Sequence, residues 1–339
     1  MKNIITQERF DTIVASFSSL NPLIVVGDVG IDKYTFGEVK RISPEAPVPV
    51  LEVTKEWLKL GLAANISHNL KTLGIKSTLC GVVGEDINAN VFDNLLEEEH
   101  LNTWGIVRTK SRPTIFKERV TTNTQQICRI DYESSEEINS DVEQKLLARV
   151  KDFSKTHQAL IIEDYSKGTL TEKLISTLIT DFKSQGKLVA VDPGRTTQPL
   201  FYKGATLLKP NLSEARLMVE SLGYKEKKIE NMAKILLEKL CLDMLVITLG
   251  SDGMALLDRK NMNEVSIIPT VANEVFDVSG AGDTAISVLT SALVAGASLE
   301  EAAWIGNCAS GVVVGKKGTA TVNLDELRFF YKNLISKIH

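Results

Sequence analysis

The sequence predicts an α/β protein built on a mostly parallel sheet, with a second, smaller β sheet attached to it. Three observations predict this. Short apolar runs alternate with longer amphipathic stretches along the 339 residues, the pattern of strands joined by crossover helices. Two β-favouring segments, Tyr34 to Val53 and Thr114 to Glu133, interrupt that rhythm. Composition is that of an ordinary globular chain, 43% hydrophobic and 24% charged.

The strand candidates are Leu23 to Val26, Ser77 to Val83, Ala159 to Ile162, Leu188 to Val191, Thr206 to Leu208, Leu245 to Thr248 and Met254 to Leu257. Each is a short apolar run bounded by Gly, Asp or Pro, as a strand buried on both faces requires. Between them the helical period predicts helices over Ala63 to Leu73, Asn90 to Glu98, Asp141 to Ser154, Thr171 to Ser184, Ser213 to Leu222 and Lys228 to Leu240. Three more follow, Gly282 to Ala295, Leu299 to Val314 and Leu324 to Lys337, and Met1 to Leu20 reads as a short amphipathic helix rather than a leader. In the first interrupting segment Pro44, Pro47 and Pro49 place the chain on edge strands or bulges, because proline donates no ladder hydrogen bond. In the second, the polar turn Thr121 to Thr124 reads as a hairpin. The expected division is a core of residues 1–33, 54–111 and 134–339 with a β lid of residues 34–53 and 112–133, and a ligand cleft between them.

A net charge of −4 excludes a global basic field for nucleic acid or an anionic membrane, so any anion site must be local. No apolar run is long enough to span a bilayer. Cys80, Cys128, Cys241 and Cys308 form no Cys-x-x-Cys pair, which argues against a zinc ribbon or disulfide framework and fits the cytoplasm.

The most informative stretch is Asp277-Val278-Ser279-Gly280-Ala281-Gly282-Asp283-Thr284, which leads into an apolar helix. A small-residue turn lets backbone approach a ligand, and the helix behind it presents unpaired N–H groups to an anion. Asp283 would repel phosphate there, so the chemistry that suits it is accepting a proton from an attacking hydroxyl. From this motif alone, a tight turn with Asp283 as a helix cap explains the residues equally well.

With its context, this stretch resembles the signature of the ribokinase-like, or PfkB, carbohydrate kinases, and the resemblance runs in order from about Pro22 to Asn323. It implies a ribokinase-like three-layer α/β sandwich with a β lid, with ATP as phosphoryl donor and Mg²⁺ as cofactor. It implies Asp283 as catalytic base and Gly280, Ala281 and Gly282 as an anion hole. Gly27-Asp28-Val29-Gly30-Ile31-Asp32 then supplies Asp28 and Asp32 for sugar hydroxyls, which carboxylates suit as multiple acceptors; the alternative is an Asx-rich turn. Gly61-Leu62-Ala63-Ala64-Asn65 is similar to the family's Gly-Gly-Ala-Ala-Asn, so Gly61 and Asn65 are expected at the sugar, with Leu62 in place of the second glycine. Pro210-Asn211-Leu212-Ser213-Glu214 matches the Asn-x-x-Glu element, so Asn211 and Glu214 are expected to organise Mg²⁺ through water; helix capping is the competing explanation. Thr248, Gly250 and Gly253 resemble the turn along the nucleotide phosphates. Asn307 and the Gly315 to Gly318 stretch fall where the family places adenine, although Lys316 and Lys317 could equally be solvated. After the strand ending at Val191 the family reads Asp-Pro-Lys-Gly, whereas this chain has Asp192-Pro193-Gly194-Arg195; Asp192 and Arg195 are expected at the phosphates, with Arg195 inheriting the lysine's task or leaving it undone.

Within that family, finer stretches resemble the kinases that phosphorylate D-glycero-β-D-manno-heptose 7-phosphate at C1. They are Arg41 to Val50, Lys117-Glu118-Arg119-Val120 with Gln125-Gln126 and Arg129-Ile130-Asp131, Asp164-Tyr165-Ser166-Lys167-Gly168, and Gly311 to Lys316. Lys117 and Arg119 lie two apart in a predicted strand and project from one face, where they can clamp a phosphate, with Arg41 and Arg129 completing the clamp. A solvated strand face with Glu118 opposite is the plainer alternative. Asp164 and Lys167 join the substrate residues by the same resemblance. The expected partner is a small sugar phosphate, with no nucleic acid, no membrane and a homodimer formed through the lid. Only four histidines occur, His68, His100, His157 and His339, without the His-x-Gly-His of a nucleotidyltransferase, so a kinase alone is expected. Rival readings are a kinase for another sugar or nucleoside, and a non-catalytic sugar-binding or regulatory protein on this fold; the latter predicts a damaged catalytic turn. Gly27 to Gly30 lacks the dinucleotide Gly-x-Gly-x-x-Gly spacing, and no P-loop is present.

Overall fold

The computed structural model of the chain describes residues 5–272, 275–316 and 320–338. Its core is a nine-stranded sheet formed, in chain order, by β1 (Leu23–Gly27), β4 (Ser77–Gly84), β5 (Gly105–Thr109), β8 (Ala159–Glu163), β9 (Leu188–Asp192), β10 (Leu207–Leu208), β11 (Met244–Thr248), β12 (Met254–Asp258) and β13 (Asn261–Ile268). Across the sheet the order is β13-β12-β11-β10-β9-β8-β1-β4-β5. Pairing is parallel from β5 to β11 and antiparallel for β12 and β13.

The strand period of two sorts this sheet's side chains into two cores. Leu23, Val25 and Ile161 face helices α1 (Gln7–Ala15), α2 (Ala63–Thr72), α3 (Ile87–Glu98), α8 (Ala281–Val294), α9 (Leu299–Val314) and α10 (Leu324–Ile338). Ile24, Val26 and Ile162 face α4 (Ser140–Ser154), α5 (Glu172–Ser184), α6 (Leu212–Ser221) and α7 (Ile229–Lys239). Residues in both layers are wholly buried, which explains why these strands read as continuous apolar runs. Every predicted helix and central strand is present within a few residues; of Met1 to Leu20, the part up to residue 4 lies outside the described residues. Two strands were not anticipated, β5 and β13. Both are sheet edges and carry polar residues such as Arg108 and Asn261, so neither has the apolar signature of a central strand.

The second sheet is formed by β2 (Val29–Ile42), β3 (Pro49–Leu62), β6 (Ile115–Thr121) and β7 (Gln126–Tyr132), in the order β3-β2-β6-β7. Its first hairpin thus begins at Val29 and ends at Leu62, longer than the 34–53 stretch the prolines mark. Pro44 and Pro47 fall between its strands, and Pro49 opens β3 on the sheet edge, where no donor is missed. The second hairpin turns at Thr122, whose N–H donates to Gln125 O at 2.8 Å. Cross-strand register lines Asp32, Lys59, Lys117 and Asp131 in one row and Tyr34, Trp57, Arg119 and Arg129 in the next, all on one face. Glu118 projects from the other face, to Thr35 and Lys33.

No described helix is long and apolar enough to cross a membrane. All four cysteines are free thiols.

The junction of the two sheets is tight. Gly27 ends β1 opposite Glu163, and a Cβ at Gly27 would stand 2.1 Å from the Glu163 carbonyl oxygen. Gly27→Ala should therefore destabilise the fold by about 1–3 kcal/mol or more through overpacking. Thermal denaturation checks this; an unchanged midpoint would contradict the close approach.

Candidate functional site

The parallel strands deliver their C-terminal ends to one edge of the sheet, the place where open α/β sheets bind ligands. Two adjoining cavities lie there. One, of about 640 Å³, is lined by Glu163, Asp164, Tyr165, Asp192, Arg195, Lys209, Asn211, Glu214, Thr248, Gly250, Gly282 and Asp283 among others. The other, of about 450 Å³, is walled by Gly253, Ala281, Asn307 and Val314 and shares Thr248, Gly250 and Gly282 with the first. Of the sequence-predicted nucleotide residues, Asp192, Arg195, Asn211, Thr248, Gly250, Gly253 and Asn307 all line one or both. Asn307 is fixed by donating its Nδ2 to Pro269 O at 2.7 Å. Lys316 instead reaches back to Thr321 O and Glu326, while Lys317 and Gly318 lie outside the described residues.

Helix α8 begins at Gly280, which sits at φ 79° and provides no side-chain cap. The Ala281 N–H donates to Val278 O at 3.2 Å and the Thr284 N–H to Gly280 O at 3.0 Å, while the N–H groups of Gly282 and Asp283 have no acceptor within the helix and lie at the positive end of its dipole. Asp283 is the third helical residue. Its Oδ2 accepts from Asn65 Nδ2 at 2.6 Å and its Oδ1 from the Tyr165 hydroxyl at 3.0 Å. Thr284 anchors the same turn by donating to Asn69 Oδ1 at 2.8 Å. Burial, with the field of Asp192 added, pushes the Asp283 carboxyl up to about 6. A carboxylate in that range is ionised at neutral pH and basic enough to take a proton.

Beside it lies a group that the sequence reading passed over. Lys209 is 3% exposed and pairs with Asp192 at 2.6 Å. A Cβ at Gly282 would lie 3.6 Å from Lys209 Nζ and 3.8 Å from Asp192 Oδ2, so the ammonium faces the glycine turn directly. Burial lifts Asp192 to about 6, while the pairing keeps Lys209 above its ordinary value despite burial, so the pair is ionic at neutral pH. A side chain at Gly194 would displace its neighbours, since a Cβ there would meet Ser166 Oγ, Thr197 Oγ1 and Asp164 Cγ at 2.4, 2.7 and 2.8 Å. The signal was the Lys preceding Pro210-Asn211, which reads from sequence as a strand end.

On the sugar side the structure separates the two predicted aspartates. Asp32 is on the lid face that carries Lys117 and Arg119 and pairs with Arg119 at 2.5 Å. Gly61 lies against it, with room for no side chain, since a Cβ would come 2.9 Å from Asp32 Oδ2. Asp28 is wholly buried, and its carboxylate accepts from the backbone N–H groups of Tyr165, Lys167 and Thr169 at 3.1, 3.0 and 3.2 Å. Its lone pairs hold that loop in place, so it does not present them to a sugar. Asp164 is similarly occupied by Tyr202, Thr197 and the Ser166 N–H. Leu62 keeps a backbone suited to glycine, φ 57° and ψ −138°, at the mouth of α2.

Lys117 and Arg119 do share a face. Lys117 and Lys167 both pair with Glu133, and Lys117 also approaches Asp131. Glu133 was not anticipated; it bridges two cations where a phosphate would compete for them. Arg129 stands opposite Arg119 and pairs with Asp131 at 2.9 Å. Arg41 does not join them, because nine residues of strand carry it about 30 Å from Asp32.

For a divalent cation, Glu214 fits and Asn211 does not. Asn211 Oδ1 is used by the Glu214 N–H in a capping box, and Glu214 Oε2 by the Asn211 N–H, at 2.9 and 2.8 Å. Glu214 lines the cleft, and the cap takes its Oε2. Among the described residues no three Asp, Glu, His or Cys side chains converge on a metal-binding point.

Residues 26–326 match the pattern of the pfkB family carbohydrate kinases. The chain belongs to that family. Among relatives, it is 40% identical over 312 residues to the bifunctional protein HldE of a Nitratiruptor species, 42% over 314 residues to that of Sulfurimonas denitrificans and 41% over 305 residues to that of Haemophilus influenzae. These alignments cover 92%, 92% and 90% of this chain, which spans only 65%, 64% and 62% of the relatives. In fold the chain is similar to Arabidopsis thaliana ribokinase complexed with ribose and ATP, with a TM-score of 0.71 and 19% identity over 92% of this chain and 99% of that one. Thermotoga maritima ribokinase gives 0.73 and 20% over 93% and 100%, and Escherichia coli phosphofructokinase-2 gives 0.74 and 18% over 93% and 100%.

Because the folded carboxyl of Asp283 binds its proton more tightly than the unfolded one, the stability it contributes is full below about pH 4 and is lost as pH rises through about 6. Asp283→Asn keeps the shape, can accept from Asn65 and donate to Tyr165, and has no charge to bury. It should be more stable than the parent at alkaline pH by up to about 3 kcal/mol, with the difference vanishing in acid. Melting curves across pH test this; a variant less stable at every pH would contradict it.

Proposed function

We propose that the kinase transfers the γ-phosphoryl group of ATP to the C1 hydroxyl of D-glycero-β-D-manno-heptose 7-phosphate, giving the 1,7-bisphosphate. The observation that carries the phosphoryl-transfer chemistry is Asp283, ionised at neutral pH and held by Asn65 and Tyr165 in the first turn of an uncapped helix facing Lys209. Support for this sugar comes from the stretches shared with heptose 7-phosphate kinases and from the cationic lid face.

In this reading Asp283 accepts the C1 proton as the oxygen attacks phosphorus, and the Gly282 and Asp283 N–H groups of the α8 turn take up charge on the phosphoryl oxygens. Lys209 lies on the same side and neutralises the donor's phosphates, a task for which Gly194 offers no side chain. Adenine occupies the cavity beside Asn307. Mg²⁺, held chiefly by phosphate and water with Glu214 behind it, would offset the triphosphate charge. Asp32 accepts sugar hydroxyls. Lys117, Arg119 and Lys167 receive the 7-phosphate as Glu133 gives way. The lid exposes Val39, Ile42, Val48, Val53, Ile130 and Tyr132, and this apolar surface supports pairing of two lids in a homodimer. Arg41 would then serve that far end rather than the clamp. The setting is cytoplasmic.

ADP release measured with heptose 7-phosphate, fructose 6-phosphate, ribose, fructose and adenosine tests the substrate. Heptose 7-phosphate should give the highest kcat/KM; preference for a neutral sugar would overturn the assignment. Asp283→Asn should lower kcat by at least about a hundredfold while ATP still binds, and unchanged turnover would remove the base. Replacing Lys117 and Arg119 together by Ala should chiefly raise KM for the phosphosugar, and an equal loss with a neutral sugar would argue against the clamp.

A further inference from the structure

We infer that Glu163 is a positioning residue for this reaction: as the neutral acid it leaves Lys209 to the phosphate donor, and as a carboxylate it draws Lys209 away and weakens ATP binding. The inference rests on reading the cleft as the ATP site and goes beyond it by naming the group that sets its upper pH limit.

Glu163 ends β8 and lines the cleft beside Asp192, Lys209, Gly282 and Asp283. It is 3% exposed, and its Oε2 is buried without a hydrogen-bond partner. The charged and titratable groups around it are Asp192 from β9, Lys209 after β10, Asp283 from α8 and, from its own loop, Asp164 and Tyr165. Glu214 from α6 acts on Asp192 and Lys209, and α2 contributes the neutral Asn65. The innermost set is three carboxylates and one ammonium. Asp192 has the ammonium at 2.6 Å, and Asp283 has two hydrogen-bond donors. Glu163 has neither, and a buried carboxylate oxygen with no donor is stable only as the neutral acid. Burial and the negative charges of Asp192 and Asp283 accordingly drive its carboxyl well above the usual range.

While Glu163 is neutral, Lys209 pairs with Asp192 and can also face an incoming phosphate across the Gly282 turn. Once Glu163 ionises, a second buried carboxylate competes for the same ammonium and adds a negative charge facing the triphosphate. Binding of ATP and loss of the Glu163 proton are therefore opposed, so over the pH range of that ionisation ATP binding is accompanied by proton uptake.

The test is the Kd of the chain for a non-hydrolysable ATP analogue with Mg²⁺, measured calorimetrically over the whole pH range in which the chain stays folded, for the parent and Glu163→Gln. Glutamine copies the size and neutrality of the protonated acid. The parent should lose affinity by up to about tenfold per pH unit above the Glu163 ionisation, while the variant holds its neutral-pH affinity until lysine titrates. An alkaline loss identical in both proteins overturns the inference, as does a folded variant that fails to bind at neutral pH. Should Glu163→Gln not fold, parent titrations in buffers of different ionisation heat decide the matter: proton uptake on binding supports the inference, and none anywhere in the range overturns it. A parent that binds no ATP at any pH overturns the nucleotide reading itself and this inference with it.

Discussion

The site depends on burying more negative than positive charge at the end of one sheet. Asp192, Glu163 and Asp283 converge on Lys209 from three separate elements, and none of them is solvated enough to ionise freely. The low-dielectric wall that makes this costly also makes the ammonium effective toward a phosphate. Neighbouring features act on this charge balance. Gly27 lets β1 approach β8 so that Glu163 reaches the edge, Gly282 leaves space over Lys209, and Asn65 and Tyr165 supply the donors that keep Asp283 an anion at neutral pH.

Much of the fold was legible because the central strands are buried on both faces. Runs such as Ala159 to Ile162 have no polar side to present, and the helices between them carry clear stripes and caps, as with Thr171 on α5 and Ser298 on α9. The edge strands β5 and β13 escaped notice for the converse reason, since one flank of each meets solvent and tolerates charge. The lid hairpin was recognised from its prolines, which mark only its far half; the near half, Val29 to Tyr34 and Thr54 to Leu62, resembles the end of a core strand.

The site was legible where chemistry requires a local motif and obscure where it requires convergence. The Gly280 to Asp283 turn is contiguous, and its neighbours in sequence are its neighbours in space. Lys209 and Glu163 are strand-end residues with no motif of their own, brought together by the order of β8, β9 and β10. Asp28 misled for a related reason: an aspartate after a strand suits both a sugar hydroxyl and a loop amide, and only the 165–169 loop, far along the chain, shows which it serves. Asn211 and Glu214 show the overlap in another form, being a complete helix cap and a cleft wall at once.

The lid's pleat has a further consequence for how such a protein diversifies. Asp32, Lys59, Lys117, Arg119 and Asp131 occupy one side of the small sheet, while Lys33, Leu58, Glu118 and Ile130 occupy the other. A single-residue exchange alters one side alone, so a lineage can rewrite the charged face while conserving the face behind it, whereas a one-residue insertion in a strand would invert both together.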